Sequence, residues 1–206
     1  MKITRYPQSC VIVETKGKKI LVDPGSIGFK EEFLADWKSC DLVLITHKHG
    51  DHCYPPGFVG MTAYATKEVA DAYPDVSFEI IKEGDKINDF IEVVHAEHGY
   101  LPHLRGAKEI HENVGYIIDG VYATSDTICF KNDYKCDILV AAVSGHGLVM
   151  GAFEVAQFAK EAGASLVIPV HLDNPAYPVN MDSVKEELEK VGIECKPLEI
   201  GESVEI

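Results

Sequence analysis

The segment Thr46-His47-Lys48-His49-Gly50-Asp51-His52 puts three histidines and an aspartate within six residues, directly after the apolar run Leu42-Val43-Leu44-Ile45. A fold that accommodates it must end a buried strand at a rim where several polar side chains gather around a ligand. In extended chain, residues two apart face the same way, so His47 and His49 can share one ion. A turn at Gly50 then swings Asp51 and His52 toward a second. Imidazole nitrogen and carboxylate oxygen together suit zinc, manganese or iron, with zinc the default in the absence of a redox ligand such as a nearby thiolate. Surface histidines at a strand end would account for one imidazole, not for three with an aspartate beside them.

Composition narrows the classes around this cluster. A chain of 206 residues, 46% hydrophobic and 25% charged, reads as one globular domain over 1–206 with no repeat and no low-complexity stretch. The formal charge of -14, from 33 acidic against 19 basic residues, opposes a phosphate backbone, so long nucleic acid is an unfavourable partner. Met1 to Pro7 lacks the apolar core of a signal peptide, and no run is long enough to span a bilayer, which predicts a cytoplasmic protein without a membrane partner. Six scattered cysteines with no C-x-x-C pair fit reduced thiols, and Cys53, although it follows His52, reads as a small buried side chain.

Strand signals are frequent. They cover Cys10 to Glu14, Ile20 to Asp23, Leu42 to Thr46, Thr62 to Ala65, Phe78 to Ile81 and Phe90 to Val94, with a hairpin at Lys16-Gly17-Lys18 and a short helix from Thr66 to Ala72 that Thr66 is placed to cap. Val114 to Ile118, Val121 to Thr124, the fully apolar Ile138 to Val143, and Leu166 to Val170 follow, with helices over about Met150 to Glu161 and Met181 to Lys190 and two short closing strands around Gly201. Fully apolar strands alternating with helices predict a layered α/β sandwich.

The later strands run into further candidate ligands. Phe90 to Val94 leads to His95-Ala96-Glu97-His98-Gly99, Val121 to Thr124 to Ser125-Asp126-Thr127, and Leu166 to Val170 to His171. Strand ends are held by a rigid sheet while remaining open to solvent. His98, followed by Gly99 as the chain leaves the strand, is preferred over His95 on the opposite pleat, with His95 kept as the rival.

Taken in order, Asp23, the THKHGDH segment at 46 to 52, His98, Asp126 and His171 resemble the five motifs of the metallo-β-lactamase superfamily, over nearly the whole chain. Within it the chain looks most like the small metal-dependent hydrolases that include ascorbate-6-phosphate lactonase, through "IPVH" at 168 to 171 and the helix and strand before it. The resemblance implies a four-layer αββα sandwich binding two divalent metal ions. It further implies that His47, His49 and His98 hold one ion, that Asp51, His52 and His171 hold the other, and that Asp126 bridges them. Asp23 becomes a carboxylate behind the site that fixes the 47–52 loop through hydrogen bonds. His49 stands where flavodiiron-like members carry glutamate, which favours hydrolysis over oxygen chemistry. Ser125 stands where glycine is commoner.

Such a centre implies a metal-bridging hydroxide as nucleophile, oriented by Asp51, and a second ion that takes the carbonyl or phosphoryl oxygen. The expected substrate is a small, anionic metabolite such as a lactone, ester or phosphodiester. Its recognition is assigned to His103 and Arg105 in the 99–113 excursion, where Lys108 adds positive charge, and to His146 in Ser144-Gly145-His146-Gly147, which is also placed to donate a proton to the leaving group. Solvated loop residues are the alternative at both places. An RNA- or DNA-processing phosphodiesterase and a non-catalytic metal-binding module of the same fold are the competing readings, and a homo-oligomer is left open.

Overall fold

The computed structural model describes residues 1–100, 109–128, 133–145 and 148–206. In chain order the strands are β1 (Lys2–Arg5), β2 (Val11–Thr15), β3 (Lys18–Val22), β4 (Leu42–Leu44), β5 (Ala63–Ala65), β6 (Phe78–Ile80) and β7 (Lys86–Ile87). They continue with β8 (Ile91–His95), β9 (Val114–Ile118), β10 (Val121–Ala123), β11 (Ile138–Ala142), β12 (Leu166–Val170), β13 (Glu194–Cys195) and β14 (Ser203–Glu205). The helices are α1 (Leu34–Trp37), α2 (Lys67–Ala72), α3 (Ala152–Ala162) and α4 (Met181–Lys190). The chain divides into two compact units, Met1–Lys82 with Leu198–Ile206, and Glu83–Pro197.

The first unit is built on a sheet ordered β14-β1-β2-β3-β4-β5-β6. β14, β1, β2 and β3 pair antiparallel, and β3 to β6 pair parallel. The β2–β3 hairpin closes on Thr15 opposite Lys18, with Lys16 at φ 49° and Gly17 at φ 72°, the two left-handed positions a type I′ turn requires. Leu21, Val43 and Ile45 pack with Phe33, Trp37 and Phe58 in an apolar cluster, where Tyr6 meets Phe33 edge-on at 5.3 Å. Thr66 flanks α2 in extended geometry, but its side chain makes no capping hydrogen bond, contrary to the sequence expectation.

The second unit carries the sheet β13-β12-β11-β10-β9-β8-β7. Here β10 to β13 are parallel and β7 to β10 antiparallel. Every residue of β11 is buried, as its unbroken apolar sequence predicts. Val155, Phe158 and Ala159 of α3 and Val184 and Leu188 of α4 pack with Leu139 and Ala141. Helix α3 stops at Gly163, which takes φ 76°, and α4 is capped by Asn180, whose side chain accepts from the backbone N–H groups of Asp182 and Ser183. The closing strands are Glu194–Cys195 and Ser203–Glu205, so only the second of them follows Gly201.

Each sheet has its parallel strands next to one another, and it is their carboxyl ends that run into the polar segments: β3 into Asp23, β4 into Thr46 and His47, β10 into Asp126, β12 into His171. Among the described residues, no helix is long and apolar enough to cross a membrane.

Candidate metal centre

In the first unit the geometry starts at Asp23, which leaves β3 at φ 47° with its backbone N–H bonded to the Leu44 carbonyl at 2.9 Å. Its side chain is 1% exposed. It accepts from the Thr46 backbone N–H and from the Thr46 hydroxyl, each at 2.8 Å, and pairs with His52 Nδ1 at 2.8 Å. Burial leaves the Asp23 pKa raised above the ordinary carboxylate value, although His52 and Thr46 pull it part of the way back. Imidazole is the more basic partner, so the proton between Asp23 and His52 rests on the ring nitrogen, and with two further donors from Thr46 Asp23 is the carboxylate.

Proton positions follow from that carboxylate. His52 donates from Nδ1, which leaves its lone pair on Nε2. The Thr46 hydroxyl gives its one hydrogen to Asp23, so its oxygen accepts from His47 Nδ1 at 3.0 Å and the His47 lone pair also sits on Nε2. Both rings are fully buried. A ring nitrogen tied to a carboxylate or hydroxyl while the other is left as a lone pair is the arrangement that metal-binding histidines use.

Donor spacing agrees with this. His47 Nε2 lies 3.1 Å from His49 Nδ1, and His52 Nε2 lies 3.9 Å from Asp51 Oδ2. Neighbouring donors on a tetrahedral ion with bonds near 2.0–2.1 Å stand about 3.3 Å apart.

The loop that carries these donors is pinned along its length. Gly50 O accepts from Ser26 N and Ser26 Oγ, both at 2.8 Å, and Tyr54 N donates to Pro24 O at 2.8 Å. Between those bonds the backbones of Gly25 and Asp51 approach so closely that a Cβ on Gly25 would overlap the Asp51 carbonyl. From α2 and the residue after it, Glu68 pairs with Lys48 at 2.6 Å, and the Tyr73 hydroxyl reaches the carbonyls of Lys48 at 3.0 Å and Cys53 at 3.3 Å. Cys53 is buried, its thiol pushed up by burial, as befits a packing residue.

The second unit gathers His98, Asp126 and His171. His98 Nδ1 donates to the Gly99 carbonyl at 2.7 Å, which again leaves the lone pair on Nε2, 3.9 Å from Asp126 Oδ2. His171 Nε2 is 3.4 Å from the same oxygen. All three side chains are buried, and His171 takes φ 64°. His95, the rival, is half-exposed and lies between two other carboxylates, Glu83 at 3.0 Å and Glu97 at 3.3 Å. Burial lowers its pKa, but the bonds to Glu97 and Glu83 outweigh that and leave it raised.

His103, Arg105 and His146 lie outside the described residues. Two features of the site were missed in the sequence. Thr46 passes the orientation of Asp23 on to His47, and Gly25 makes room for Asp51. The signal for Gly25 is its place after Pro24, where the strand Ile20 to Asp23 ends.

With this geometry in place, comparison with known proteins identifies the class. The chain belongs to the β-lactamase superfamily domain family, whose model matches residues 2–171. A UPF0173 metal-dependent hydrolase of Pyrococcus furiosus is 31% identical over 233 aligned positions that cover 100% of both chains. Igni18, a metallo hydrolase of Ignicoccus hospitalis, superposes with a TM-score of 0.78 at 23% identity, over 98% of this chain and 97% of its own. The metallo-β-lactamase fold protein YhfI of Bacillus subtilis does so with a TM-score of 0.75 at 18% identity, over 98% of each. The protein is a metal-dependent hydrolase with the metallo-β-lactamase fold, an α/β sandwich of two mixed sheets with helices.

Proposed function

We propose that this hydrolase is dinuclear, with His47, His49 and His98 holding one ion, Asp51, His52 and His171 the other, and Asp126 bridging the two. Zinc is the metal that this set of imidazoles and carboxylates suits best, with manganese or iron the alternatives. The reading is carried by one observation. His47, His52 and His98 each have Nδ1 committed to a neighbouring oxygen, so each presents its Nε2 lone pair, the donor an ion requires.

When bound, the ions supply Lewis acidity, lowering the pKa of water toward neutrality and polarising a carbonyl or phosphoryl oxygen. The protein's own part is to hold geometry. Asp23 keeps His52 and, through Thr46, His47 in one tautomer each. Asp51, less buried than His52 beside it, is the side chain placed to orient water as well as to bind metal. Substrates of the matching class are small anionic esters, including lactones and phosphodiesters.

Metal analysis of the purified protein, then assays on lactones, thioesters and phosphodiesters with and without chelator, test this reading. About two ions per chain and chelator-sensitive hydrolysis are expected. A folded protein that binds fewer than about two ions under saturating zinc refutes the dinuclear centre. His171→Ala should weaken one ion selectively, and unchanged stoichiometry would remove His171 from the set.

A further inference from the structure

Asp126 follows β10, but the ladder between β9 and β10 has ended before it, since Ala123 opposite Tyr116 is its last pair. Continuing that register residue by residue puts Asn113 opposite Asp126. The Asn113 side chain takes over where the backbone pairing stops: Nδ2 donates to the Asp126 carbonyl at 2.9 Å, as a partner strand's N–H would. Its other end is fixed as well. Ser125 Oγ donates to Asn113 Oδ1 at 2.8 Å, which determines which way round the amide sits.

Ser125 itself takes φ 63°, a left-handed conformation that favours glycine. The strained serine is held from both sides. Its hydroxyl is bonded to Asn113, and its carbonyl accepts from Thr124 Oγ1 at 2.9 Å, while Thr124 Oγ1 accepts from the Ala142 N–H of β11 at 3.3 Å. Asn113 and Ser125 are both buried, so water competes weakly for these bonds.

We infer that Asn113 is a positioning residue for Asp126, gripping its carbonyl directly and holding the strained turn before it through Ser125. The inference rests on the reading of Asp126 as the bridging ligand. A side chain at φ 63° with a hydroxyl tied to an amide gives this chain a way to carry serine where glycine would turn without strain. It also makes the direction in which the Asp126 carboxylate leaves the sheet depend on Asn113, whose amide is taken up by the Asp126 carbonyl and the Ser125 hydroxyl.

Cobalt titration of the full chain, followed by visible absorption, reads the ligand field directly, and thermal unfolding of the metal-free protein reads the scaffold separately. Asn113→Ala and Asn113→Asp should weaken cobalt binding about 10- to 100-fold and alter the absorption bands, the second because a carboxylate keeps the shape but cannot donate to the Asp126 carbonyl. Ser125→Ala should lose affinity in the same direction, and Ser125→Gly less, since glycine adopts the turn without strain. Melting temperatures that fall while cobalt affinity and spectrum stay at wild-type values would overturn the inference. Asp126→Ala separates the two levels. If it leaves the spectrum unchanged, Asp126 is no ligand and the proposed centre fails; if it changes the spectrum and Asn113→Asp does not, only the positioning role fails. Asn113→Asp carries the test should Asn113→Ala not fold.

Discussion

Replacing Gly25 by alanine tests whether one close backbone approach sets the ligand loop. An ideal Cβ at this position lies 2.8 Å from the Asp51 Cα and overlaps the Asp51 carbonyl, all of it backbone that no rotamer change can move. Restoring ordinary contact requires the two segments to part by on the order of 1 Å, an overpacking that costs about 1–3 kcal/mol. The hydrogen bonds from Ser26 to Gly50 and from Tyr54 to Pro24 bracket the contact and are lost as it opens, at about 1 kcal/mol each. The expected loss in urea unfolding of the metal-free protein is therefore about 4–6 kcal/mol. Binding should fail with it, because ligands must be held to within about 0.5 Å. Gly17→Ala is the matched control: φ is 72° but nothing lies within 4 Å of a Cβ, so about 1 kcal/mol and unchanged metal binding are expected. A Gly25→Ala protein within 1 kcal/mol of wild type that keeps its metal content would refute the reasoning.

Asp23→Asn puts an amide NH2 against the Thr46 hydroxyl and His52 Nδ1, drives the His52 proton to Nε2, and should lower metal affinity about 10- to 100-fold by titration; unaltered affinity would break the proton assignment. Tyr73→Phe removes the bonds to Lys48 and Cys53 and should cost about 1 kcal/mol in chemical denaturation. Because the His95 pKa is raised on folding, its contribution to stability is present below the unfolded value near 6.5 and is lost as pH rises through the folded value. An NMR titration should find it above the peptide value and find it lowered in a Glu83→Gln, Glu97→Gln double variant. Burial pushes the thiols of Cys40 and Cys136 up to about 12, so a disulfide reagent should label them slowly in the native protein and readily in denaturant. Rapid native labelling of both would contradict their burial.

Much of this fold is visible in the chain because its central strands are apolar along their whole length, as at Ile138–Ala142 and Leu166–Val170, and because a glycine, Gly163, stands where α3 terminates. Lys2–Arg5 and Lys86–Ile87 left no such signal. They are short, carry charge, and are strands only because a partner strand supplies the hydrogen bonds. Capping divided similarly. Thr66 has the right residue type but makes no bond, and Asn180 does the work for α4 without having stood out in the sequence. At the site, residue type and order picked out the candidate ligands, but not what holds them. Gly25 matters for the atoms it lacks, and Asn113 for a register that exists only once β9 and β10 have paired.

β14 has a consequence for how the protein is made. The sheet of the first unit has its edge closed by residues translated after the whole of the second unit, with Lys2 opposite Glu205 and the Arg5 guanidinium buried against the Leu198 carbonyl at 3.1 Å. On the ribosome, therefore, β1 waits with one side of its hydrogen-bonding edge open, and Arg5 waits without that acceptor, until residues 198–206 emerge. Residues 83–197 meet no such delay, so the unit begun second is the one that can finish first. A released chain truncated after residue 197 should show that order as protease resistance in the later half while the earlier half is still cut.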